Sequence, residues 1–385
     1  MQLFRMEAYV LPEGKYPKMH MINGTMTNDQ KAELLAIQNR QVELLADGTD
    51  CGVYSFEQYA AEHGQCGYHT AVRAGAGTGK TYLLTAKFSF LLYSCSKSLI
   101  TNLIDQVVML TFTNEAADNM RKRIKRMLFS HFALTGNPIF TRCIEELSRM
   151  QICTIDAFCE RLIQENPIPL GVGSDCTVTT STYQYRQILD EAIARHFPED
   201  LDHAYYDADL REAVYTIGET ILLKGTRIRD CAFPFADNTD NPVEQWLGES
   251  LPTILLEAQN RFEAYLRERN QILLPNFAHD ALACITSEHF NTRRYDIRYV
   301  FVDEFQDTSD TQIAVLQALQ DKLSFEIFLV GDAKQSIYGF RDASASAFEK
   351  IMTNAADWET FELTINRRST NALIACTNQT CEDIY

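Results

Sequence analysis

The chain has 385 residues, 46% hydrophobic and 23% charged, with a formal net charge of −17 and 11 cysteines. Such values exclude a collagen, a fibrous repeat and a disordered tail, and the length admits one large or two to three ordinary domains. The acidic balance argues against a protein that coats nucleic acid nonspecifically but leaves room for a local basic groove.

The cysteines are scattered singly, without CxxC pairs or zinc-type His/Cys spacing, so reduced thiols and a cytoplasmic location are expected. The opening residues MQLFRMEAYVLPEGKYPK lack a basic segment followed by an apolar core. No window holds eighteen uninterrupted apolar residues, and no membrane partner is expected.

In chain order, residues 1–50 read as an N-terminal extension without an assigned role, helical from about Asp29 to Leu45. Strand and helix then alternate. The pattern predicts a strand at His69 to Arg73, a glycine loop, a helix from Lys80 to Tyr93, a strand from Gln106 to Thr111 and a helix from Asn114 through Leu128. A third strand, Met150 to Thr154, leads into a helix from Asp156 to Glu165 that Pro167 and Pro169 end. This is the signature of an α/β unit built on a parallel sheet.

From there to about Pro275 the periodicity is helical, with candidate helices at Tyr183 to Phe197, Asp209 to Leu223 and Trp246 to Arg269. The α/β pattern resumes with strands at Tyr299 to Val302, Glu326 to Val330 and Thr360 to Thr364. The expected layout is therefore 51–165 as the first part of an α/β domain, 166–290 as an inserted helical subdomain, 291–365 as the second part, and 366–385 as the start of another domain.

Residues 74–81, Ala74-Gly75-Ala76-Gly77-Thr78-Gly79-Lys80-Thr81, lie between a predicted strand and a predicted helix, the setting a phosphate-binding loop requires. Gly75, Gly77 and Gly79 are read as positions of positive φ that turn N–H groups inward on a phosphate. Lys80 supplies charge near the β,γ-oxygens, and the Thr81 hydroxyl is suited to Mg²⁺. A flexible glycine turn with a stray lysine is the bland alternative. The coincidence of strand, loop, helix and Gly-Lys-Thr weighs against it.

Four apolar residues, 299–302, run into Asp303 and Glu304, which puts two acids where a buried parallel strand emerges. An Asp-Glu pair in isolation is ordinarily a solvated loop. Here Asp303 suits Mg²⁺ held through water, and Glu304 suits activation of an attacking water. The next strand end carries Gln335, a neutral amide able to sense a γ-phosphate. Tyr338, Phe340 and Arg341 follow it; they suit stacking on single-strand bases or, read blandly, a core.

Together these segments resemble the UvrD/Rep-like superfamily 1A DNA helicases, with a flavour of the RecB/AddA subunits, over about residues 55–165 and 270–375. AGAGTGKT (74–81) looks like motif I, LTFTNEAADNMRKRI (110–124) like motif Ia, and CTIDAFCERL (153–162) like the TxHSFC-type motif. VDEFQDTS (302–309) is similar to motif II, GDAKQSIYGFRDA (331–343) to motif III and LTINRRST (363–370) to motif IV. The resemblance implies a RecA-like P-loop NTPase domain that uses ATP and Mg²⁺.

Carried over by position, the resemblance implies that Gln58 reads adenine, with Gln30 a weaker candidate, and that Gln335 and Arg368 contact the γ-phosphate. It implies that Phe112, Thr113, Asn114, Phe158, Tyr338, Phe340 and Arg341 face single-stranded DNA, and more loosely that residues 276–280 do so. The pattern departs at Asp156, where histidine is common, at Arg367, where many relatives carry an adenine-stacking tyrosine, and at Arg73. Motifs V and VI, which belong to a second RecA-like domain in the family, are not found.

The expected function is thus the ATP-binding and hydrolysing portion of a 3′–5′ DNA helicase translocating on single-stranded DNA or 3′-tailed duplexes, of the kind used in DNA repair and recombination. The alternative is a truncated or split ATP- and DNA-binding protein working with a second chain that supplies the other RecA-like domain or a nuclease. A P-loop ATPase unrelated to DNA would leave the aromatics after Gln335 unexplained. Arg121, Lys122, Arg123, Lys125 and Arg126 form the densest basic run, read either as a solvated helix face or as phosphate tracking by two or three of them.

Overall fold

The computed structural model describes residues 56–62, 69–94, 100–135, 138–201, 206, 208–233, 242–335, 345–354, 358–364, 366, 368–369, 373 and 379. In chain order these form α1 (Phe56–Glu62), β1 (His69–Ala74), α2 (Lys80–Ser94), α3 (Ile100–Gln106), β2 (Val107–Thr111), α4 (Asn114–Thr135), α5 (Pro138–Glu146), β3 (Gln151–Thr154) and α6 (Ile155–Glu165). There follow β4 (Thr177–Thr179), α7 (Tyr183–His196), α8 (Ala208–Leu223), α9 (Pro242–Glu268), β5 (Gln271–Leu273) and α10 (Phe277–Thr286). The chain continues through β6 (Tyr299–Val302), α11 (Asp310–Leu323), β7 (Glu326–Gly331), α12 (Ala345–Asn354) and β8 (Trp358–Leu363).

Two compact units emerge, one from the residues through Ile155 with Thr292–Ile313 and those from Leu319 on, the other from Asp156–Asn291 with Ala314–Ala318. The first break thus precedes the expected 165/166 boundary, so α6 goes with the helical unit. Just past α6, Asn166 accepts a hydrogen bond from the Asn291 N–H at 3.4 Å, tying the two ends of that unit together.

The first unit is built on a six-stranded sheet in the order β3-β2-β6-β7-β1-β8, with every pairing parallel. This is the RecA-like α/β architecture. Strands buried on both faces must be apolar throughout, and Val107–Thr111 is buried at every position. The α4 helix lays Ala117, Met120, Ile124 and Leu128 into the core at three- and four-residue spacing. Partly buried Phe132 continues that stripe, which is why the helix runs on to Thr135 rather than stopping at Leu128.

The second unit is mainly helical. Tyr185, Leu189 and Ile193 of α7 share a core with Leu251, Leu255, Ala258 and Phe262 of α9, and the Tyr185 and Phe262 rings meet edge-on at 5.5 Å. A Cβ at Gly218 would lie 2.9 Å from the Tyr185 hydroxyl, so only glycine lets α8 approach this closely. Strands β4 and β5 pair in parallel within this unit. Three residues each is too short for alternation to show in the sequence. Among the described residues no helix is long and apolar enough to cross a membrane.

Candidate active site

In a parallel sheet all carboxyl ends lie at one edge, and the loops after β1, β6, β7 and β8 bring their side chains together there. The loop between Ala74 and α2 turns through Gly77 (φ 75°) and Gly79 (φ 94°), both in the left-handed region. Gly75 does not share that conformation. A Cβ there would meet Thr78 and Asp332 at ordinary contact distances, so the expectation of positive φ at Gly75 is corrected. Its carbonyl closes the turn, accepting from the Thr78 N–H at 3.3 Å and hydroxyl at 2.8 Å. The N-terminus of α2, with the dipole and free N–H groups that favour an anion, points into this loop.

Gln58 on α1 is buried and donates from Nε2 to the Thr78 carbonyl at 3.1 Å. A Cβ at Gly79 would sit 2.5 Å from that same Nε2 and displace the glutamine, while the backbone angle of 94° is what calls for glycine. Its amide therefore supports the loop directly.

Lys80 Nζ lies 2.5 Å from Glu304 Oε2 and 3.3 Å from Gln335 Oε1, which joins the loop to both acidic and amide strand ends. The Thr81 hydroxyl donates to Asp303 Oδ2 at 3.3 Å. Asp303 is 7% exposed, and burial, reinforced by the neighbouring Glu304 charge, raises its carboxyl to about 6 against the pull of Lys80. Glu304 adopts φ 51°, an uncommon backbone for a non-glycine residue.

Gln306 escaped the sequence reading. It is 1% exposed and donates from Nε2 to Glu304 Oε2 at 3.0 Å and Asp307 Oδ2 at 3.3 Å. Its Oε1 accepts from the Asp332 N–H at 2.9 Å, and Asp332 Oδ2 accepts from Gln335 Nε2 at 2.7 Å. One buried amide thus links the β6 acids to the β7 glutamine. Gly331 keeps the way clear, since a Cβ there would stand 3.0 Å from Gln306 Oε1.

Arg73 at the end of β1 pairs with Glu349 on α12 at 2.5 Å and Glu362 on β8 at 2.7 Å. That explains an arginine in this position. Beyond β8, the Arg368 Cβ lies 2.7 Å from where a Gly77 Cβ would be.

The family profile described as UvrD/REP helicase N-terminal domain matches residues 55–356. This chain belongs to that family. The ATP-dependent DNA helicase UvrD1 of Mycobacterium leprae is 25% identical over 319 residues, covering 79% of this chain and 36% of the relative. The ATP-dependent DNA helicase PcrA of Leuconostoc citreum is 27% identical over 319 residues, 80% of this chain and 36% of the relative. DNA helicase II of Haemophilus influenzae is 27% identical over 316 residues, 80% of this chain and 37% of the relative. The chain spans a little over a third of the length of these relatives.

Against this UvrD-like frame, the DNA-facing expectations divide. Phe112 is half-buried, and Thr113 and Asn114 are exposed at the start of α4. The Thr113 hydroxyl accepts from the Ala116 N–H at 3.1 Å and so caps α4. Phe158 is 2% exposed, which puts its ring in the protein interior and corrects the expectation that it faces DNA. Tyr338, Phe340, Arg341, Gln30 and Arg367 lie outside the described residues.

The five basic residues of α4 are all exposed, because the helix buries the opposite stripe. Arg121 bonds Asp118 at 2.8 Å and the Ile152 carbonyl. Among the described residues no cluster of three or more His, Cys, Asp or Glu gathers as a metal site. The donors at the loop are instead one buried carboxylate and one hydroxyl, a hard oxygen set that fits Mg²⁺, which takes few protein ligands and fills its octahedron with water and phosphate oxygens.

Proposed function

We propose that this chain forms the ATP-binding and ATP-hydrolysing part of a 3′–5′ DNA motor that translocates on single-stranded DNA. The observation that carries this reading is Lys80, held between Glu304 and Gln335 above a loop with two left-handed glycines. Loop N–H groups and the α2 N-terminus bind the triphosphate. Lys80 exchanges its contact with Glu304 for phosphate oxygens, and that exchange frees the Glu304 carboxylate to accept a proton from water. Thr81 and Asp303 are the residues that would hold Mg²⁺, whose charge neutralises developing negative charge on the phosphate oxygens.

Gln306 keeps Glu304 oriented while Gln335 and Arg368 serve as γ-phosphate contacts. Phe112, Asn114 and the outer face of α4 serve as strand contacts. The relatives' printed names, ATP-dependent DNA helicase and DNA helicase II, support DNA as the partner. Because the matched region is about a third of each relative, strand separation is assigned to an assembly that holds a second motor domain, whether in the same polypeptide or in a partner chain. The test adds a fluorescent single-stranded oligonucleotide to the purified chain and follows anisotropy and ATP turnover together. Binding with faster turnover supports a DNA motor. Turnover indifferent to DNA at every concentration contradicts the DNA half of the reading.

A further inference from the structure

Two side chains fasten the described residues after β8, Asn366 to the phosphate loop and Glu57 to α1, and neither was singled out as a site residue from the sequence. Strand β8 runs parallel to β1 with Leu363 opposite Ala74, so it ends level with the start of the loop. Thr364 then gives both its N–H and its hydroxyl to the Glu57 carboxylate, at 2.8 and 2.5 Å. Two residues on, Asn366 donates from Nδ2 to the Ala76 carbonyl at 2.9 Å, while its Oδ1 accepts from the N–H groups of Arg368 and Ser369 at 2.9 and 3.0 Å.

The approach is close. A Cβ at Gly77 would stand 2.7 Å from the Arg368 Cβ and 2.8 Å from Asn366 Oδ1, so Gly77 serves this contact as well as its own positive φ. The amide of Asn366 meets both demands, donating from Nδ2 to a carbonyl and accepting at Oδ1 from two N–H groups. Glu57 adjoins Gln58, which bonds the Thr78 carbonyl, so consecutive residues of α1 hold the chain after β8 and the loop itself.

We propose that Glu57 and Asn366 are positioning residues that hold Thr364, Arg368 and Ser369 against α1 and the phosphate loop, fixing the backbone of Arg368 over Gly77 and so favouring a triphosphate over a diphosphate. The inference rests on the ATP reading above and adds to it the residues that set Arg368 before nucleotide arrives. Preorganisation of this kind raises affinity by removing the ordering cost from the binding step. Loss of one fastening is expected to cost about tenfold, the scale of one or two hydrogen bonds.

The experiment measures binding of fluorescent ATPγS and fluorescent ADP, with Mg²⁺, to the wild type, Asn366→Ala, Glu57→Ala, Arg368→Ala and Asn366→Ala combined with Arg368→Ala. Thermal melting confirms that each variant folds. Expected is an about tenfold loss for ATPγS and an about unchanged ADP affinity in Asn366→Ala and in Glu57→Ala, with no further loss when Asn366→Ala is added to Arg368→Ala. Glu57→Ala is the sharper variant, because Glu57 holds Thr364 and touches neither Arg368 nor the loop in the bonds described. Parallel loss of both nucleotides would overturn the proposal by reducing Asn366 to a loop support, and additivity with Arg368→Ala would overturn it too. A wild type that binds neither nucleotide overturns the ATP reading itself, a result distinct from the other two.

Discussion

Glu304 carries two constraints at one position: a left-handed backbone at φ 51° and a carboxylate shared between Lys80 and Gln306. Replacing the carboxylate by an amide keeps the size and removes the base. Glu304→Gln is expected to lower ATP turnover by about a hundredfold or more while ATP binding survives, the scale of a general base; loss of binding in step with turnover would assign the residue to ground-state binding instead. Gln306→Ala strips an amide bonded on both sides and leaves the Asp332 N–H buried without its acceptor. Turnover is expected to fall about tenfold or more with a modest drop in melting temperature, since an unsatisfied buried group costs about 1–3 kcal/mol.

The place of loop residues 74–81 was legible because one contiguous spacing sets a glycine turn between strand and helix. Asp303 and Glu304 were legible because four apolar residues precede them. Gln306, Asn366 and Glu57 were not, since each acquires its role from an atom far away in the chain: Asp332, Ala76 and Thr364. Phe158 shows the opposite error, where motif likeness suggested a face for DNA and packing buried the ring.

At the scale of single elements, α4 divides cleanly into a buried stripe and a basic outer face. Arg121 is committed to Asp118 and Ile152, so Lys122, Arg123 and Lys125 are the better probes of strand contact. If one of them meets a phosphate, its change to alanine lowers the slope of log affinity against log salt by about 0.7 for a single strand. A slope unchanged in all three variants would make this face a solvated surface only.

The first turns of α10 offer a pH test. A cavity of about 170 Å³ within the helical unit is lined by Arg227, Glu263, His279 and Asp280 among others. Burial, then the charge of Glu263, raises the Asp280 carboxyl from 3.8 to about 7 in opposition to Arg227. A raised folded value means that the folded state holds the extra proton, so this contribution to stability is complete below about 4 and is lost as pH rises through about 7. Asp280→Asn is therefore expected to melt higher than the wild type at pH 8.5 and to show a flatter melting profile between pH 5.5 and 8.5. Parallel profiles for the two proteins would contradict the raised value.

Taken whole, the described chain sets its polar and charged strand ends at one edge of an all-parallel sheet, where a phosphate loop, an acid pair and a glutamine converge. That much followed from alternating strands and helices with a glycine loop after the first of them. The β4–β5 pairing and the early boundary at Ile155 did not, because pairing between short segments remote in sequence leaves no periodic trace. The family match over residues 55–356 agrees with the architecture.

ATP turnover at this edge of the sheet is the property on which every role above depends. Steady-state hydrolysis of ATP with Mg²⁺ by the purified chain, with Lys80→Ala prepared in parallel, tests it most directly. Turnover that disappears in Lys80→Ala and in the presence of a chelator is the expected result. Equal turnover by the wild type and Lys80→Ala, or ATP bound by neither, would mean that this edge is not an ATPase site.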